Sequence, residues 1–257
     1  MKTVIIGDIH GHDLWKQVVA QEHDADRFIF VGDYFDSFTV SGVVQIHNFK
    51  EIVEFKTTSL YHDVIMLIGN HDYHYFPEIG DSNTSGYQST LAPSIKQVIG
   101  ENKQHLQMGY KFDDIVCTHA GLSSEWLDDT FVDWNVDNMI DKLNELFQYQ
   151  PKKVDYRSFK YYDYENNQAQ LAGGFGAETF QGPIWIRPDA LMKSNYDTLR
   201  TQIRQVVGHT TRKQIDIEGK STGGRYYFID TMPREYLIVN DGVVSLGKLE
   251  NEKIQTK

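Results

Sequence analysis

Short apolar, β-branched runs recur along the chain at residues 3–6, 28–31, 64–68, 115–117 and 206–207, each closed by Gly, Asp or His. Continuous apolar runs of this length, bounded by turn residues, predict strands buried on both faces. Stretches with helical spacing lie between them. Residues 13–20 begin at Asp13, a residue suited to an N-cap. Residues 41–56 place Val44, Phe49, Ile52, Val53 and Phe55 on one apolar face, and residues 90–99 and 135–147 repeat the pattern. Alternating strand and helix predicts an α/β layered fold. Residues 225–230, 235–239 and 243–246 predict instead an antiparallel meander, with Asn240-Asp241-Gly242 as a hairpin turn. The expected architecture is an α/β sandwich of two sheets flanked by helices.

Two stretches lack either period. Residues 77–89 are rich in Gly, Ser and Asn, and residues 156–182 contain Gly173-Gly174-Phe175-Gly176. Both read as loops on the site face, either plain surface insertions or a substrate-shaping lid. One domain is expected over residues 1–248, with 155–182 as a loop or lid insertion and 249–257 as a tail.

Composition narrows this picture. With 257 residues and 40% hydrophobic residues the chain supports a sizeable core. A net charge of −11 argues against a nucleic-acid partner held on a basic surface. It does not oppose a phosphorylated substrate, because divalent metals invert the local field. The single cysteine, Cys117, rules out an internal disulfide and fits a reducing compartment. No leader-like segment precedes residues 3–6 and no apolar run approaches the length of a membrane span. A cytoplasmic protein is the expectation; oligomeric state is not legible.

The candidate chemistry lies where the apolar runs end. Five segments carry it: Gly7-Asp8-Ile9-His10-Gly11, Gly32-Asp33-Tyr34-Phe35-Asp36, Gly69-Asn70-His71-Asp72, Thr118-His119-Ala120-Gly121 and Gly208-His209-Thr210. Parallel strands ending at a common edge would set these loops side by side. Carboxylates, imidazoles and one carboxamide, without thiolate, suit two clustered divalent ions, and a two-metal site hydrolyses phosphate esters.

In order and spacing the five segments resemble those of the calcineurin-like metallophosphoesterases. The similarity is greatest to the branch of phosphoprotein phosphatases and symmetrical dinucleoside tetraphosphate hydrolases. The resemblance implies a four-layer αββα sandwich of two mixed sheets with the site at the strand C-terminal ends. It implies that Asp8 and His10 hold a first metal, that Asp33 bridges both, and that Asn70, His119 and His209 complete the second. Manganese is the first expectation, with iron, zinc, nickel or cobalt also accommodated by such ligands. Hydroxide between the ions is then the expected nucleophile. His71 follows a ligand and is assigned as general acid to the leaving group, with Asp36 holding its tautomer. His74 is a secondary candidate for the site lining, and His12 reads as a solvated loop residue.

Two positions depart from the pattern. The family follows the second motif with a phosphate-gripping arginine, whereas here Ser37-Phe38 follow Asp36. The segment Trp185-Ile186-Arg187-Pro188 resembles one in the dinucleoside polyphosphate hydrolases, which implies that Arg187 is the phosphate clamp, with Arg212 ranked below it. The last motif reads Gly208-His209-Thr210-Thr211, without the second histidine of more distant members. The leading expectation is a phosphatase acting on a phosphate monoester, in a phosphoprotein or a small molecule. A dinucleoside polyphosphate hydrolase comes second, and a metal-binding scaffold with weakened catalysis third.

Overall fold

The computed structural model describes residues 1–76, 85–148, 159, 176–194, 197–219, 225–231 and 234–249. The tail from residue 250 and most of the 155–182 segment lie outside the described residues, as does 77–84 of the first expected loop.

Two mixed sheets stack face to face. The first has the order β11-β10-β1-β2-β3-β4 and the second β5-β6-β7-β9-β8. In the first sheet, β1 (Lys2–Ile6), β2 (Arg27–Phe30) and β3 (Asp63–Leu67) run parallel. In the second, β6 (Ile115–Thr118), β7 (Arg204–Val207) and β9 (Tyr226–Phe228) run parallel. The remaining strands are β4 (Leu106–Gln107), β5 (Gly109–Phe112), β8 (Asp216–Glu218), β10 (Glu235–Asn240) and β11 (Val243–Lys248).

The unbroken apolar runs follow from this stacking. Side chains alternate across a strand, so a strand between two layers must be apolar at every position. Ile5, Ile29 and Leu67 point between the sheets and meet Cys117, Val206 and Ile229. Val4, Ile6, Phe28, Phe30 and Met66 point the other way, toward helices. Each such fully buried side chain contributes about 1.5–3 kcal/mol. The helices on that side include α1 (Trp15–Gln21), α2 (Gly42–Thr58) and α4 (Ala92–Asn102), which follows the single-turn α3 (Asn70–Tyr73). The second sheet is covered in part by α6 (Met139–Gln148), which follows α5 (Ser124–Thr130), and by α7 (Pro188–Ser194). A last helix, α8 (Asp197–Gln202), leads into β7.

Three expectations change. The C-terminal meander is split: β10 and β11 form the hairpin, but β10 pairs with β1, while β9 joins the other sheet beside β7. Pairing partners depend on tertiary packing, and Tyr227 of β9 packs with Val206 and Cys117 of that sheet. Asp13 does not cap α1; the N-cap is Leu14, with no side-chain cap bond. On α2, Val44 is half exposed, while Gln45 and Asn48 face inward with Phe49 and Ile52. Both polar side chains serve loops of the site face: Asn48 donates to the His12 carbonyl, and Gln45 accepts from Ser37 and donates to the Val40 carbonyl.

Candidate metal centre

The parallel strands of both sheets end at one edge, and all five motifs follow such ends. Asp8 and His10 come after β1, Asp33 and Asp36 after β2, Asn70 and His71 after β3, His119 after β6 and His209 after β7. The loops turn sharply there. His10, Asp33, Asp36 and His209 have φ of 42°, 52°, 64° and 65°, a left-handed conformation that costs a non-glycine residue about 1–3 kcal/mol. Hydrogen bonds hold them in place: the amides of Ile9 and His10 donate to the Asp33 carbonyl, and the His209 amide donates to both Asp8 carboxylate oxygens. Two glycines permit the close approach. A β-carbon on Gly69 would collide with Oδ1 of Asp33, and one on Gly208 with Oδ1 of Asp8.

Ligand atoms of Asp8, Asp33 and His119 lie within 4.8 Å of one another, all buried. His119 Nε2 is 3.3 Å and His10 Nε2 3.7 Å from Asp33 Oδ2. Asn70 Oδ1 is 3.0 Å from both His119 Nε2 and His209 Nδ1. The other ring nitrogen of each histidine faces a backbone carbonyl: His10 Nδ1 that of Phe35 at 2.7 Å, His119 Nδ1 that of Val31 at 2.9 Å, and His209 Nε2 that of Trp185 at 3.0 Å. A carbonyl only accepts, so each neutral ring carries its proton there and turns a bare lone pair inward. The interior thus holds three imine nitrogens, an amide oxygen and carboxylate oxygens, all acceptors, close to one another. Without positive charge they repel; a cation satisfies them together. Outer carbonyls that orient ligating imidazoles are the usual support of a metal site.

In the metal-free protein these groups also shift one another. Burial, then the charges of Asp230 and Asp33, hold the Asp8 carboxyl well above the ordinary range. Burial works the same way on Asp33, but the imidazoles of His119, His71 and His10 outweigh it and hold its carboxyl well below that range. Loss of water, followed by His119 and Arg187, depresses His209, which keeps the ring neutral and fit to ligate.

His71 stands beside this cluster. Its amide donates to Asp33 Oδ1, and its Nδ1 lies 3.0 Å from Asp36 Oδ2. Burial lowers its pKa, but Asp33 and Asp36 outweigh it and raise it to about 9. Arg187 donates to Thr210 Oγ1 at 3.1 Å and to the His209 carbonyl at 3.4 Å; burial lowers its pKa, against the opposing charges of Asp33, Asp230 and Asp8. Ser37 is not placed like a clamp: its hydroxyl accepts from the amides of Thr39 and Val40 within its own turn.

Two supporting residues escaped the sequence reading, and a third was named only as a secondary candidate. Asp72 accepts from the amides of Tyr34 and Gly69, tying the β2 and β3 loops together; its place in the first turn of a helix after Gly69 was the signal. Asp230, after β9, is buried and accepts from Thr211, which occupies the position of the absent second histidine. His74, the secondary candidate for the site lining, is buried 2.8 Å from Asp36. His12, expected in solvent, is half-buried.

A family model for calcineurin-like phosphoesterases matches residues 1–213. No curated protein matches the chain. Among solved structures, the chain is similar to a cold-active protein-tyrosine phosphatase of a psychrophilic Shewanella, with a TM-score of 0.66 and 18% identity over 96% of this chain and 77% of that one. A metallophosphoesterase from Sphaerobacter thermophilus aligns with a TM-score of 0.44 and 13% identity over 97% of this chain and 89% of that one. At these identities the likeness is one of fold. No described helix is long and apolar enough to cross a membrane.

Proposed function

Because the chain belongs to the calcineurin-like phosphoesterase family, we propose that it hydrolyses a phosphate monoester at a dinuclear metal centre. The observation that carries this reading is the convergence of acceptor-only groups around Asn70 Oδ1, with every participating imidazole oriented by a backbone carbonyl. In this reading Asp8 and His10 hold one divalent ion, Asn70, His119 and His209 the other, and Asp33 serves both; manganese is the first expectation, and iron, zinc, nickel or cobalt fit the same donors. The ions, when bound, supply Lewis acidity toward the phosphoryl oxygens and make hydroxide available near neutral pH.

The chain's own groups do the rest. Arg187, anchored beside Thr210, orients the phosphoryl oxygens with its guanidinium group. His71 holds a proton for the leaving oxygen, and Asp36 fixes its ring. The His71–Asp36 pair favours an enzyme over a binding scaffold, since metal capture alone does not use an oriented proton donor.

The test is hydrolysis of p-nitrophenyl phosphate, its bis ester and a dinucleoside tetraphosphate, after metal removal and Mn²⁺ addition. Turnover is expected on the monoester, returning with Mn²⁺. In Asp33→Asn it should fall on the order of 10³-fold, the scale of losing one preorganised electrostatic group. Preference for the tetraphosphate would replace this reading with the dinucleoside polyphosphate hydrolase. Metal uptake without turnover on any of them would favour the scaffold.

A further inference from the structure

Asp36 has more partners than one orienting carboxylate needs. Its Oδ2 lies 3.0 Å from His71 Nδ1 and 2.8 Å from His74 Nε2, and its Oδ1 accepts from the Tyr75 hydroxyl at 2.5 Å. Tyr75 is fully buried, and its hydroxyl accepts in turn from the Gln88 amide at 2.8 Å. Its ring stacks on Tyr87 at 5.0 Å and 14°, and His74 meets the same two tyrosine rings edge-on. The loop carrying these contacts presses on Asp36 from outside: a β-carbon on Gly86 would meet the Asp36 carbonyl at 2.8 Å. None of these contacts touches the cluster of ligands.

A carboxylate bonded to one imidazole is free to rotate and to carry that imidazole with it. Donors on both oxygens remove the freedom. A rigid carboxylate in turn fixes the His71 Nδ1 proton and hence the direction of Nε2, the atom that serves the leaving oxygen. Positional tolerance at such a proton donor is small. We propose that Tyr75 and His74 are positioning residues for proton donation, acting through Asp36, and that residues 86–88 are the brace that sets them. This rests on the reading of His71 as the leaving group's acid.

The test compares two monoesters on the metal-loaded enzyme. p-Nitrophenyl phosphate has a leaving group that departs without a proton, whereas the leaving group of phenyl phosphate needs one. In Tyr75→Phe, kcat on phenyl phosphate is expected to fall about ten-fold, a share of the total worth of a general acid, while p-nitrophenyl phosphate changes less than about two-fold. His74→Ala should show the same selectivity, and His74→Gln, which keeps a donor toward Asp36, should restore much of it. A readout independent of turnover is the proton NMR signal of the His71 ring N–H held by Asp36, expected to exchange faster in Tyr75→Phe. The His74 pair carries the test if Tyr75→Phe does not fold. Equal losses on both esters, or unchanged turnover with an unchanged N–H signal, would overturn the proposal while His71→Ala remains leaving-group selective. A His71→Ala variant with no such selectivity would remove the acid reading itself, and the proposal with it.

Discussion

In the proposed centre the His119 position is closed to solvent, whereas the His10 position is open. The His119 side chain has no exposed surface, that of His10 has 23%. Asn70 Oδ1 already touches both of its histidine neighbours. The position of a further histidine is taken by Thr211, which is spent on Asp230. There negative charge does what ligand number does not: Asp8, Asp33 and the nearby Asp230 repel one another until a cation arrives. Preorganised ligands lose less freedom on binding. We propose that the chain builds a tighter position and a more exchangeable one from the same ligand types.

The strongest way to break this contrast is to remove one histidine from each side. His119→Ala should abolish both ions, because its imidazole reaches Asp33 as well as Asn70. His10→Ala should remove the weaker ion and spare the tighter one. Metal content after dialysis separates the two, and equal losses would erase the asymmetry. A smaller effect is expected from Gly208→Ala, whose new β-carbon strikes Asp8. The collision should cost about 1–3 kcal/mol in thermal unfolding, and should weaken the exchangeable ion selectively.

The smallest effect concerns protons. In the metal-free protein, His71 should titrate with a midpoint of about 9, well above its unfolded value. Its contribution to stability is then complete below about pH 6.5 and is lost as pH rises through 9. Metal loading cancels the charge of Asp33 and should move that midpoint down, as followed by histidine NMR. Asp8, also raised, contributes in the same direction: its stabilisation is present at low pH and is lost as its carboxyl ionises, until a bound cation reverses the loss.

Much of this was legible in the chain because burial on both faces leaves a plain mark. The runs at residues 28–31 and 64–68 could hardly be anything other than strands between layers. Strands β4 and β8, of two and three residues at sheet edges, carry no such mark. The fate of β9 was hidden because its partner lies two elements back, across a turn that the local pattern does not describe. In the site, the proposed ligands stood out by type and spacing. Asp72, Tyr75 and Asp230 did not, because their roles are defined by what a folded loop places next to them. Val44 misled for a related reason: helical spacing put it on the apolar face, but the chain turned Gln45 and Asn48 inward to hold the neighbouring loops.

The most direct measurement is a Mn²⁺ binding isotherm on the stripped protein, with His10→Ala beside it. Two ions per chain in two affinity classes, the weaker absent from His10→Ala, is the expected result. One ion or none per chain in the unaltered protein would contradict the dinuclear centre.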